Sequence, residues 1–120
     1  MAKKQKSADD LIAVILKGID EVKGQEVQLL DLRKIENSVC EYFIICSGTS
    51  NTHVNAINGT VQKMASKQLK EHPWHVEGEQ NAEWILLDFI NVVVHIFQKK
   101  TREFYDLESL WGDAKITSIS

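Results

Sequence analysis

The chain has 120 residues, 43% hydrophobic and 26% charged, the makeup of a single domain (1–120) able to bury a real core. A net charge of −3 and a pI near 5.8 argue against a nucleic-acid footprint dominated by phosphate neutralisation, so little direct nucleic-acid binding is expected and a basic protein partner fits better. No membrane span is expected, and the basic start Met1 to Lys6 is followed by Asp9 and Asp10 rather than by the apolar stretch of a secretory signal, so the expected compartment is the cytoplasm.

Ser7 is placed to cap an amphipathic helix in which Leu11, Ile12, Ile15, Ile19 and Val22 follow the 3.6-residue period, with Gly24 as its stop. Val27 to Leu32 is a short strand candidate. Tyr42 to Cys46 is apolar at every position, the pattern of a strand buried on both faces, and Ser47-Gly48-Thr49-Ser50 ends it. A second helix opens near Thr52, lines up Val54, Ile57, Val61, Met64 and Leu69, and stops before Pro73. Trp74 to Glu77 reads as a short extended segment.

Trp84 to Phe89 and Val92 to Phe97 alternate around Ile90-Asn91, which predicts a hairpin with a two-residue turn whose positive φ falls to Asn91. That register sets Phe89 opposite Val92, Leu87 opposite Val94 and Ile85 opposite Ile96 on an all-apolar core face. The other face then carries Trp84, Leu86, Asp88, Val93, His95 and Phe97, a mixture that is either half-covered or open to a partner. Thr101 to Trp111 reads as one helix ended by Gly112, with Phe104, Leu107 and Trp111 at helical spacing. The order α-β-β-α-β-β-β-α predicts an α/β (α+β) fold, a single mixed five-stranded sheet flanked by helices. Residues 1–6 and 115–120 are expected to be mobile.

Cys40 and Cys46 lie roughly 20 Å apart if the chain between them is extended, far beyond the ~7 Å Cα limit of a disulfide, so free thiols are expected. Neither they nor His53, His72, His75 and His95 show paired ligand spacing, so no metal and no cofactor is expected. The loop from Ser47 to Ser50 could receive an anion at a helix N-terminus. It lacks the lysine of a phosphate-binding loop, and no Asp-x-Asp follows to hold Mg²⁺, so a structural turn is the favoured reading. A nucleotide-binding or nucleotidyltransferase-like enzyme using this loop is the alternative. His95 lies diagonal to Asp88 on the mixed face, but no serine or cysteine nucleophile joins them, so the pair reads as structural or interfacial and no catalytic residue is assigned. Trp84, Phe97, Tyr105 and Trp111 beside Arg102 have the composition of an interface hot spot, and Glu77, Glu79, Glu83, Glu103, Asp106, Glu108 and Asp113 gather around them.

Read in order, Tyr42-Phe43-Ile44-Ile45-Cys46-Ser47-Gly48-Thr49-Ser50, Glu77-Gly78, Trp84-Ile85-Leu86-Leu87-Asp88, Val94-His95-Ile96-Phe97 and Arg102-Glu103-Phe104-Tyr105-Asp106-Leu107-Glu108-Ser109-Leu110-Trp111 resemble the ribosomal silencing factor, or Iojap-like, family. The resemblance runs from Leu11 to Ala114. It implies a small mixed-sheet fold related to nucleotidyltransferases, and a non-enzymatic translational repressor. Such a protein binds the large ribosomal subunit through ribosomal protein L-fourteen, blocks joining of the small subunit, and damps protein synthesis when nutrients are scarce. It further implies partner contacts at Trp84, Asp88, His95, Arg102, Tyr105, Glu108, Leu110 and Trp111, with the apolar groups as anchors and the charged ones setting register. A homodimer through the mixed face is a third reading for the free protein. The chain departs from the family at Ile90-Asn91, where Gly-Asp is usual, and at Glu41, where Asp is usual.

Overall fold

The structure is a computed structural model and describes residues 8–119. The expected Ser7 cap and the expected mobility of residues 1–6 lie outside the described residues. The first helix, α1 (Ala8–Glu21), buries Leu11, Ile12, Ile15 and Ile19 along the predicted stripe. It packs against α2 (Asn51–Leu69), whose Val54, Ile57, Val61 and Ala65 are buried. Both helices cover the same face of the sheet.

The strands are β1 (Gln25–Asp31), β2 (Tyr42–Gly48), β3 (His75–Glu77), β4 (Trp84–Asp88), β5 (Val92–Gln98) and β6 (Lys115–Ser118), arranged β3-β4-β5-β2-β1-β6. The sheet is mixed as expected but has six strands rather than five. The extra one comes from the segment expected to be a mobile tail, because Ile116 pairs antiparallel opposite the fully buried Leu30 and extends the sheet edge. β2 pairs parallel to β5 and antiparallel to β1, and all seven of its residues are buried. One side of β2 meets α1 and α2. On the other, Phe43 and Ile45 join Leu30, Leu32, Val93 and Phe97 beneath Ile35, Leu107, Trp111 and Ala114.

The hairpin has the predicted register, with Trp84 opposite Phe97, Ile85 opposite Ile96 and Leu87 opposite Val94. Its core face is buried. Gly78 fixes the approach to β4: its φ is +87°, and a Cβ there would collide with the carbonyl of Trp84. The turn differs from expectation, since Ile90 takes the positive φ (+79°) and Asn91 does not. The Asn91 N–H donates to Phe89 O at 3.0 Å, closing a γ-turn over Ile90, while Asn91 O accepts from the N–H groups of Glu41 and Tyr42 at 3.0 and 3.1 Å. With the Asn91 carbonyl committed to the start of β2, the reversal falls on Ile90. A β-branched residue there stores about 1–3 kcal/mol of strain.

The predicted single helix Thr101–Trp111 is two short ones, α3 (Lys99–Tyr105) and α4 (Leu107–Leu110). Asp106 interrupts them with φ +49°, in the left-handed region. The break redirects every side chain after it, which matters for the site.

Candidate partner-binding site

Arg102 organises the second face of the sheet. It is only 7% exposed. Its Nε and Nη2 donate to Glu108 Oε2 at 2.9 and 2.6 Å, and its Nη1 donates to the Glu26 carbonyl and to Ser47 Oγ, both at 2.8 Å. One guanidinium thus ties α3 to β1, β2 and α4, using the planar fork that a lysine lacks. The left-handed Asp106 lets the chain fold back so that Glu108 reaches this clamp. Glu26, Lys99, Glu103, Asp106 and Glu108 line a predominantly acidic cleft of about 340 Å³ around it.

With α3 pinned on its inner side, Phe104 and Tyr105 face outward, 80% and 51% exposed, and Leu110 of α4 is 73% exposed. The Phe104 and Tyr105 rings meet edge to face at 5.0 Å. Tyr105 lies 4.8 Å from Trp84, and Trp84 stacks at 4.8 Å on Phe97. This row of rings runs from solvent into the core. Beneath it, the Trp84 indole N–H donates to His95 Nδ1 at 3.1 Å, and the His95 ring contacts Phe43 at 4.5 Å, which in turn contacts Trp111 at 5.6 Å.

His95 is 4% exposed, and burial pushes its pKa down to about 4, so the ring is neutral. Because Nδ1 accepts from the indole, the proton resides on Nε2, which has no hydrogen-bond partner among the described residues. The expected His95-Asp88 pair is not formed. Leu86 stands directly opposite His95, Trp84 takes one diagonal, and Asp88 Oδ1 at the other is engaged by the Ile90 N–H at 2.8 Å.

The residues expected to contact a partner therefore separate. Trp84, Tyr105, Leu110 and Trp111 lie on the α3-α4 side. Arg102 and His95 are buried and hold that side in place, and Glu108 is engaged by Arg102. Asp88 belongs to the turn at the far end of β4, about 13 Å along the strand from Trp84. Phe104, Leu107 and Trp111 were placed at helical spacing on one helix, but the break at Asp106 interrupts the period, so Leu107 and Trp111 pack on the core while Phe104 stands in solvent. Ser47, expected in a structural turn or, in the alternative, an anion-binding loop, is an anchor for Arg102.

The Ser47 to Ser50 loop is filled by its own chain. The Thr49 N–H donates to His53 Nδ1 at 2.9 Å, the His53 N–H to Ser50 Oγ at 3.1 Å, and the Val54 N–H to Ser50 O at 2.9 Å. Gly48 packs so closely on α2 that a Cβ would meet Val54 Cγ2 at 2.9 Å. These N–H donors of a prospective phosphate cradle are already used. Both thiols are free, and burial pushes Cys46 up to about 12 and Cys40 up to about 11, so neither is an activated nucleophile. Among the described residues no His, Cys, Asp and Glu cluster is placed to hold a metal ion.

A family model described as "Ribosomal silencing factor during starvation" matches residues 5–120. The ribosomal silencing factor of Halalkalibacterium halodurans is 37% identical over 113 residues, which cover 94% of this chain and 95% of that protein. A Mus musculus protein named "Mitochondrial assembly of ribosomal large subunit protein 1" is 40% identical over 74 residues, covering 59% of this chain and 32% of its own length. A solved structure from Chromobacterium violaceum superposes with a TM-score of 0.84 at 29% identity, covering 96% of this chain and 94% of the other. With a matched family model spanning nearly the whole sequence and the same sheet architecture in a solved relative, this chain belongs to the ribosomal silencing factor family.

Proposed function

We propose that this protein is a non-enzymatic translational repressor in the cytoplasm. It docks on the large ribosomal subunit through ribosomal protein L-fourteen and, seated there, sterically prevents the small subunit from joining under nutrient limitation. Family membership supports the ribosomal role, and the name of the mouse relative associates that protein with the large subunit. The observation that carries the docking role is the row Phe104-Tyr105-Trp84, in which the two exposed rings stand on a helix pinned by a buried arginine and the third, partly buried, comes from β4.

Large rigid rings lose little entropy on binding and supply most of the energy of a docking surface. Exposed Glu103, Asp106 and Asp113 around them steer a basic partner and set its register. In this reading Trp84, Phe104, Tyr105, Leu110 and Trp111 are anchors. Arg102, Glu108 and His95 are positioning residues, and Asp88 acts through the hairpin turn. No cofactor takes part.

Purified subunits in a reassociation assay test the reading. Wild-type protein should reduce formation of whole ribosomes, and Tyr105→Ala should weaken binding to the large subunit at least tenfold, the loss of a central aromatic anchor. Full reassociation at saturating wild-type protein refutes the repressor role. Unchanged affinity of a folded Tyr105→Ala variant refutes the anchor assignment. The apolar exposure of Phe104 and Leu110 also suits a homodimer of the free protein through this face, which partner binding would then have to displace.

A further inference from the structure

The whole-chain charge of −3 conceals a region of the opposite sign. Residues 51–76, comprising α2 and the segment after it, hold Lys63, Lys67 and Lys70 against a single acid, Glu71. Lys63 and Lys67 stand one helical turn apart on the exposed side of α2, and Lys70 follows at its C-cap. Among the described residues none of these lysines forms a salt bridge. The helix exit is rigid: the Lys70 N–H donates to Ser66 O and the Glu71 N–H to Ala65 O, each at 3.1 Å, satisfying the terminal carbonyls.

Four residues beyond Lys70 stands Trp74, 76% exposed, whereas Trp84 and Trp111 are partly buried. Its backbone is fixed, since its N–H donates to Asp88 O at 2.7 Å beside the hairpin turn. An extended chain places its Cα no more than ~14 Å from that of Lys70. Of the three neighbouring acids, Glu77 is bound to His75 at 2.6 Å and Asp88 accepts from the Ile90 N–H, while Glu71 directly follows Lys70. An exposed indole on a fixed backbone, at most ~14 Å from the first of three lysines without salt bridges, combines a π-face with a positive track.

We propose that this corner is an RNA contact, in which an unpaired base stacks on Trp74 while the adjoining phosphates lie against Lys67 and Lys70, with Lys63 extending the track. The inference rests on the large-subunit reading only in taking ribosomal RNA as the natural source of that strand. The two ends of the molecule then sort their partners by charge: the acidic surround of α3 repels a phosphate backbone and accepts a basic protein, and the lysines of α2 do the reverse.

The test uses a fluorescently labelled single-stranded oligouridine of about 12 nucleotides, within the length range a small site covers, followed by anisotropy across a salt series. Wild-type protein should bind it, with log K falling against log salt at a slope of about −2 for three neutralised phosphates. Trp74→Ala should weaken binding about tenfold, the loss of one stacked base, at an unchanged slope. Lys67→Glu with Lys70→Glu should weaken it more and flatten the slope by more than one unit. All three residues are exposed, so the fold survives these changes. Absence of oligonucleotide binding, or variants that bind as wild type does, overturns the proposal. If Trp74→Ala weakens binding to purified large subunits while the oligonucleotide is not bound, the indole contacts protein and the RNA assignment fails. Subunit binding without oligonucleotide binding defeats this inference alone; oligonucleotide binding without subunit binding defeats the silencing reading alone.

Discussion

A His95→Phe substitution should leave the protein folded at neutral pH and make it more resistant to acid than the wild type. At pH 7 two effects oppose each other. The variant loses the acceptor for the Trp84 indole N–H, worth about 1 kcal/mol, and also removes a buried Nε2–H without a partner, whose burial costs about 1–3 kcal/mol. The net change near neutrality should stay within about 1 kcal/mol. Acid separates the two proteins. Desolvation lowers the His95 pKa from 6.5 in the unfolded chain to about 4 in the folded one, so between these values only the unfolded chain takes up the proton. Stability is therefore complete above pH 6.5, falls as the pH drops toward 4, and changes no further through this group below that. At about 1.36 kcal/mol per pH unit of mismatch, the wild type should lose about 2.5 kcal/mol through His95 by pH 4.5, a loss the phenylalanine variant does not share. Urea denaturation followed by tryptophan fluorescence, run on both proteins at pH 7 and pH 4.5, isolates this quantity because carboxylate contributions are common to both. A difference between the two pH values below about 0.5 kcal/mol, or one favouring the wild type in acid, would show that His95 is not held neutral by burial.

Arg102→Met should destabilise the protein by about 3 kcal/mol, because Glu108, the Glu26 carbonyl and Ser47 Oγ all lose their donor; the urea midpoint measures it. Arg102→Lys should not restore the loss, since a single ammonium cannot reach acceptors on three elements in the geometry of the guanidinium, and wild-type stability in that variant would refute the clamp. Ile90→Gly should raise stability by about 1 kcal/mol by relieving the left-handed strain at the γ-turn, less the entropy that glycine adds to the unfolded chain. A thermal midpoint that stays level or falls would mean the turn is not strained.

Much of this fold was legible in the residues. β2 announced its burial by being apolar throughout, and the hairpin register followed from alternation, because a one-residue slip would have put Ile85, Leu87, Val94 and Ile96 on the wrong face. Other features depended on contacts distant in sequence. The break at Asp106 leaves little trace in a pattern where Phe104, Leu107 and Trp111 keep helical spacing, since the fold-back of α4 is held by Glu108 reaching a guanidinium that also binds β1 and β2. Lys115 to Ser118 reads as a polar tail until β1 supplies an edge for it.

The candidate site divides along the same line. Aromatic density, acidic charge around α3 and the family resemblance were properties of the sequence itself, and the docking face proposed above starts from them. Which side chains face solvent was decided by tertiary structure. Arg102 and His95 look in sequence like polar contact residues, yet one is a buried clamp and the other a neutral base beneath an indole. Phe104 keeps helical spacing with Leu107 and Trp111 yet is the most exposed ring of the row. Local patterning sets which face of a strand or a regular helix is apolar, because its period is fixed by backbone geometry. Whether a polar group on that surface turns inward depends on partners brought from elsewhere in the chain, and for Arg102 those partners are Glu26 and Ser47, 76 and 55 residues away.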